Sequence, residues 1–157
     1  MGKKILLSVL MLSLIGCNQK AETKAAVLKV AASKASTGIS LEPFNDFPEE
    51  IEGAGCYFAA NKKDFKKEQY IYADNLENLC FIKVKGKFIR LELAEKTVDT
   101  TGTQFLEKFK NNEYELSVDF RQTGDDGDEA GIFEGSMTLK HNNESEIKKD
   151  LYGICGC

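Results

Sequence analysis

The residues with most chemistry to offer in this 157-residue chain are five cysteines, at positions 17, 56, 80, 155 and 157. Cys17 directly follows an apolar run and stands apart from the other four. An even number of thiols in a small exported domain is the usual basis of a disulfide framework. If the terminal "ICGC" is extended, residues two apart point the same way, so Cys155 and Cys157 share a face with Ile147 and Leu151. Side by side, each would reach a different neighbouring strand. The expectation is two bridges joining Cys56 and Cys80 to Cys155 and Cys157, with the pairing open. A bridge from Cys56 to the C-terminus closes a loop of roughly 100 residues, worth about 4–5 kcal/mol by the chain-entropy argument. Two other chemistries compete. Four thiolates bind zinc, but structural zinc sites use two close-spaced pairs, and Cys56 and Cys80 are far apart. "CGC" also fits a redox-active dithiol, although no thioredoxin-like βαβ pattern surrounds it, and free, buried thiols are the remaining reading.

Fewer cues attend the other reactive groups. In "GDDGDEAG", Asp126 and Asp128 fit the first two places of a calcium loop and Gly131 its turn. Ala130 then stands where an oxygen is needed and Met137 where the bidentate Glu belongs, so a solvated hairpin turn is expected. His141 is the sole histidine, and no nucleophile is tied to it by spacing. Carboxylates are plentiful, but nothing marks a glycosidase pair. "YIYADN" ends in Asp74 after Tyr70 and Tyr72. It is a strand-end turn, or else a shallow tyrosine-lined recognition patch. No phosphate-cradling glycine loop occurs, and there is no tryptophan. No catalytic residue, cofactor or metal ligand is assigned, and the expectation is not an enzyme.

The N-terminus carries an address. Met1-Gly2-Lys3-Lys4 is basic, and residues 5–15 are apolar except for Ser8 and Ser13. At about 1.5 Å per residue that run covers roughly 17 Å, too little for a hydrocarbon core about 30 Å thick. The pattern is that of a secretory signal peptide. A myristoylation reading through Gly2 fails, because Leu6 stands where Ser or Thr is wanted. "LIGC" (Leu14, Ile15, Gly16, Cys17) resembles the lipobox of bacterial lipoproteins. The resemblance implies that the Cys17 sulfur takes diacylglycerol with palmitate-type chains, that cleavage removes residues 1–16, and that Cys17 anchors the protein on a bilayer. Each buried acyl CH₂ adds about 0.8 kcal/mol, so two or three chains hold it without a transmembrane helix. Asn18 is not the Asp that retains many such proteins on an inner membrane, and "NQKAETK" lacks an acidic surface-export cluster. The implied location is the outer membrane, facing the periplasm.

Residues 18–38 are rich in Ala, Lys, Ser and Thr, and have too little apolar surface to pack a helix through Val27, Leu28 and Val30. As a flexible tether of about 21 residues they would reach roughly 25 Å. "LEPFNDFPEE" holds both prolines and two phenylalanines, and reads as an irregular lead-in whose Phe44 or Phe47 staples onto the domain. The divisions are thus 1–16 for the signal, 17–50 for anchor, tether and lead-in, and 51–157 for one β-domain. Deleting Lys3 and Lys4 with the signal takes the formal charge from −4 to −6. That argues against a nucleic-acid partner, as does the lack of a basic patch interleaved with aromatics.

Period-two alternation must position these groups. In "LCFIKVKGKFIRLEL", Cys80, Ile82 and Val84 share a face; after a Lys85-Gly86 turn, Ile89, Leu91 and Leu93 rejoin it. Tyr114, Leu116, Val118 and Phe120 repeat the pattern, as do Phe133, Met137 and Leu139 with Gly135 on the inner face. Residues 56–60, 70–74 and 146–157 are further strands. Only "TQFLEKFKN" (103–111) has helical spacing, with Phe105, Leu106 and Phe109 on one side and Thr103 as cap. The expected fold is all-β with one short helix, a small antiparallel barrel or sandwich of about seven or eight strands.

Lipobox, tether, "GAGCYF", "YIYADN", "FIKVKGKFIRLEL" and "GICGC" together look like a group of uncharacterised lipoproteins from Gram-negative bacteria. A more distant likeness is to membrane-bound lysozyme inhibitors, lipoproteins with small antiparallel barrels and a disulfide to the C-terminal region. Their "G…L.L" strand pattern is echoed by Gly86, Leu91 and Leu93. Their inhibitory Ser-Gly-x-x-Tyr loop has only the poor substitute "TTGTQF", with Thr101 and Phe105. The reading is a lipid-anchored, non-catalytic β-domain that binds another envelope component. The alternatives are a periplasmic protein inhibitor working through residues 100–105, or a thiol redox protein using Cys155 and Cys157.

Overall fold

The computed structural model describes residues 39–51, 53–127, 129–142 and 145–156. The expectations for the signal segment, Cys17, the tether and Cys157 lie outside the described residues, as does Asp128 of the acidic loop. Alternation becomes strand wherever it was read: β1 (Gly55–Ala59), β2 (Tyr70–Asp74), β3 (Leu79–Val84), β4 (Lys87–Val98), β5 (Gln104–Lys110), β6 (Tyr114–Asp125), β7 (Ala130–His141) and β8 (Ser145–Gly156). Each pairs antiparallel with the next, and β8 pairs with β1, so the sheet closes into a barrel rather than splitting into a sandwich. Lys85 (φ 51°) and Gly86 (φ 73°) make the two-residue β3–β4 turn, whose left-handed backbone matches the strand twist. The carboxylate of Glu42 accepts the Gly86 N–H at 3.0 Å.

Two corrections arise here. The helix expected over 103–111 is strand β5, paired along both edges with β4 and β6. Phe105 and Phe109 face in, whereas Leu106 is exposed on the outer wall. The short helix lies instead at α1 (Lys62–Phe65), between β1 and β2, where the Asn61 side chain accepts from the backbone N–H of Lys63 and Asp64.

An eight-stranded barrel is just wide enough for side chains to fill it. Phe58, Tyr72, Ile82, Leu91, Leu116, Met137 and Leu139 are fully buried within it, with the Phe58 and Phe120 rings 5.3 Å apart. The parities predict a core of Cys80, Ile82, Val84, Ile89, Leu91, Leu93, Leu116, Val118, Phe120, Phe133, Met137 and Leu139; ten of these twelve are buried, and Ile89 and Leu93 pack only partly against the core. Gly153 lies opposite Phe58 and Gly135 opposite Phe120. A Cβ on either would collide with the backbone of the facing strand, at Tyr57 or Asp119 respectively. Those two glycines admit the close strand approach that a narrow barrel needs.

From Phe44 onward the lead-in packs on the outer wall. Leu41 bridges to Val84 and Phe44 to Tyr70, and Phe44, Ile51, Ala73, Leu79 and Phe81 form a second small core. Phe44 is the staple, 4% exposed, while Phe47 is 40% exposed. The upper rim of the barrel carries the loops 75–78 and 99–103 and residues 126, 127 and 129. The lower rim carries α1, the 85–86 turn and the 111–113 turn.

Candidate functional site

Two bulges aim the polar side chains inside the barrel. The β1–β2 register moves from Phe58↔Tyr72 to Ala59↔Tyr70, leaving Ile71 as the extra residue. Ile71 and Tyr72 therefore both face the barrel core, and Tyr70 turns to the outer cluster beside Tyr57. In β4, Leu93 pairs with Phe109 and Glu95 with Lys108, so Ala94 is extra. Beyond it the parity reverses, and Lys96 stands inward opposite Glu107 with its ammonium 2.7 Å from the carboxylate.

Cys155, Cys56, Asp74, Cys80 and Leu91 occupy one rung across β8, β1, β2, β3 and β4. Cys56 and Cys155 are bonded to each other, 99 residues apart in sequence. The expectation of two bridges is corrected: Cys80 is a free, fully buried thiol. Cys80 lies three strands from Cys155 along the rung, with Cys56 and Asp74 between them, and Cys155 is already bonded to Cys56.

Asp74 is 3% exposed and accepts three hydrogen bonds: from the Cys56 N–H (3.1 Å), the Tyr72 hydroxyl (2.7 Å) and the Leu76 N–H (2.8 Å). Burial lifts its pKa to about 6, against the opposing pull of those donors. Burial likewise holds the Tyr72 phenol and the Cys80 thiol well above their ordinary values, with Asp74 pushing in the same direction. A buried thiol kept protonated is a poor nucleophile and metal ligand. Glu107 is closed in with a side-chain exposure of 6%, whereas its partner Lys96 keeps 35% and passes its ammonium 5.7 Å from the Phe105 ring. Replacing Lys96 with Met is expected to destabilise the barrel by about 2 kcal/mol, less than for a fully buried pair because Lys96 is part-solvated. Urea denaturation would register it, and Lys96→Arg should restore most of the loss.

Of the two readings of "YIYADN", the structure has the strand-end turn: Asp74 ends β2, Tyr72 is fully buried, and of the two tyrosines only Tyr70 reaches the outer wall. Phe105 is not a loop-tip residue; it stacks on Phe120 at 5.2 Å inside the barrel. Thr101 is exposed in the 99–103 loop, which is knit together by Asp99. That carboxylate accepts from the Thr101 hydroxyl and from the Thr103 and Gln104 N–H groups at 2.8 and 2.9 Å, which lower its pKa to about 2. His141 ends β7 with its ring 4.7 Å from that of Tyr114. Lys96 and Glu107 were missed from sequence. The signal was there in the alternation Phe105, Glu107, Phe109, readable only if an inward acid is allowed.

Beside Asp74, Lys96 and Glu107 the cavity measures about 10 Å³, scarcely a water. A wider depression of about 370 Å³ lies on the outer wall of β5 to β8, among Asp119, Arg121, Glu134, Lys148 and Asp150. Among the described residues, no three of His, Cys, Asp and Glu gather as a metal-holding group, and no helix is long and apolar enough to cross a membrane. Fold and cluster together define a closed eight-stranded up-and-down barrel, filled by its own side chains and braced by the buried Tyr72–Asp74 hydrogen bond and the part-solvated Lys96–Glu107 pair. Compared with known proteins, the chain matches no protein family, no curated sequence and no solved structure.

Proposed function

We propose that this chain is a lipid-anchored lipoprotein of a bacterial envelope, held on a bilayer through acylated Cys17, whose barrel is a non-catalytic module binding another envelope component. The observation that carries the non-catalytic half is the state of the reactive groups. Cys155 is spent in a bond to Cys56, Cys80 is buried as a thiol, and the cavity beside Asp74 and Glu107 has room for about one water. The anchoring half is supported by the sequence Leu14 to Cys17 alone. Intact mass spectrometry of the membrane-extracted protein tests both. The expected species begins at acylated Cys17 and takes up no alkylating reagent at Cys80 until unfolded. An unacylated chain removes the anchor, and rapid native alkylation returns thiol chemistry to the front.

A second reading, a periplasmic protein inhibitor, is favoured by one observation: the exposed loop 99–103 is pre-ordered by Asp99, which lessens the ordering cost of inserting it into an enzyme cleft. A lysozyme activity assay with the purified protein decides it. Undiminished activity at saturating protein sinks the inhibitor reading.

A further inference from the structure

The barrel is polarised along its axis. On the lower rim Lys62, Lys63, Lys66, Lys67, Lys85 and Lys87 are all exposed. Four acids stand among them: Asp64 accepts the Asn61 amide at 2.7 Å, Glu42 holds the Gly86 N–H, and Glu68 and Glu113 are exposed, so six lysines against four acids leave the rim an excess of two positive charges. The upper rim is opposite in sign, with Glu77, Asp99, Asp125, Asp126 and Glu129 exposed. A chain of net charge −4 thus presents a cationic end.

A second observation concerns where the chain joins the barrel. Leu41 pairs with Val84, the last residue of β3, and Ile39 and Leu41 pack against the barrel core there. The described chain therefore starts at the cationic rim. Only 21 residues separate Cys17 from Ile39, with the reach of roughly 25 Å expected for their composition. An anchor at Cys17 would hold the lower rim, not the acidic one, near the headgroups.

From charge and attachment together, we infer that the lower rim docks on an anionic lipid bilayer, with the α1 lysines against the headgroups and the acidic rim directed away; this rests on the anchoring proposed above. Lysines within a Debye length of about 8 Å of an anionic surface each strengthen partitioning about fivefold.

The test uses the full chain with Cys17→Ser, sedimented with phosphatidylcholine vesicles with and without phosphatidylglycerol. Its apolar run 5–15 and its tether lysines contribute equally to every variant and cancel in the comparison. Charge reversal at Lys62, Lys63, Lys66 and Lys67 to Glu is expected to cut the anionic preference at least tenfold, with thermal melting confirming that the barrel is intact. An unchanged preference overturns the inference. Because the chain has no tryptophan, Gln69→Trp and Asp126→Trp report the two rims separately in acylated protein on anionic vesicles. A headgroup quencher should dim the first several-fold more than the second; equal or reversed quenching overturns the orientation. The mass of Cys17 separates the failures. Acylation without rim preference ends the docking inference alone, and rim preference without acylation ends the anchoring alone.

Discussion

Reduction of the Cys56–Cys155 bond lowers the melting temperature by roughly 20 °C or more. The two residues face each other across β1 and β8, the strands that close the barrel, and are 99 residues apart in sequence. Opening so long a loop returns about 4–5 kcal/mol of conformational entropy to the unfolded chain. That is a large share of the 5–15 kcal/mol typical of a domain. The double variant Cys56→Ala, Cys155→Ala should behave like reduced protein, and wild type in reductant should converge on it. Coincident melts of oxidised and reduced protein would show that strand pairing alone carries the seam. Cys80 offers an internal control. It is buried and bonded to nothing, so Cys80→Ala should leave the response to reductant intact.

The second large effect is at Asp74. Replacing it with Ala leaves the Cys56 N–H and the Tyr72 hydroxyl buried without an acceptor, while water can reach the Leu76 N–H. Two stranded donors cost about 4 kcal/mol when the group they lose is the neutral carboxyl. The carboxyl also titrates differently folded and unfolded, about 6 against 3.8. A folded pKa above the unfolded one means that the folded state binds the proton more tightly. Its contribution is therefore fully present below about 3.8 and lost as the pH rises through about 6. Holding the proton more than a hundredfold more tightly in the folded state corresponds to about 3 kcal/mol. The deficit of Asp74→Ala should accordingly be largest near pH 4 and shrink by up to about 3 kcal/mol at pH 8. Urea denaturation at pH 4.5, 6 and 8 reads it, beside Asp74→Asn, which keeps the shape without the titration. A deficit independent of pH would mean that Asp74 ionises as a surface carboxylate does.

Most of the barrel is legible from residue type alone because its wall is one residue thick: every second side chain fills the interior and the others meet water. That is why the parities from Cys80 to Leu91 and from Tyr114 to Leu139 identify the core. Legibility fails where a bulge resets the parity. Ile71 sends Tyr70 and Tyr72 to opposite faces although they are two apart, and Ala94 brings Lys96 inside. It fails again at β5, where Phe105, Leu106 and Phe109 satisfy a helical spacing as well as a strand. Only the lysine on the facing strand explains why Glu107 is inward, and no local window contains both. The thiols divide in the same way. The tie from Cys56 to the C-terminus follows from an extended last strand, but the isolation of Cys80 follows from its place three strands away from Cys155, a fact of strand order.

The seam has a bearing on how the molecule comes to exist. β1 is the first strand of the barrel to be made and β8 the last, and each is the other's neighbour. Until the final twelve-residue strand is available, β1 and β7 both keep a bare edge. Contacts so distant in sequence form slowly, and unpaired edges recruit whatever strand is nearest, including those of sister chains. A chain stalled short of Cys155 is therefore the dangerous species: seven strands of sheet with both flanks open. Closure of the sheet and cover for its edges arrive together, when β8 is made.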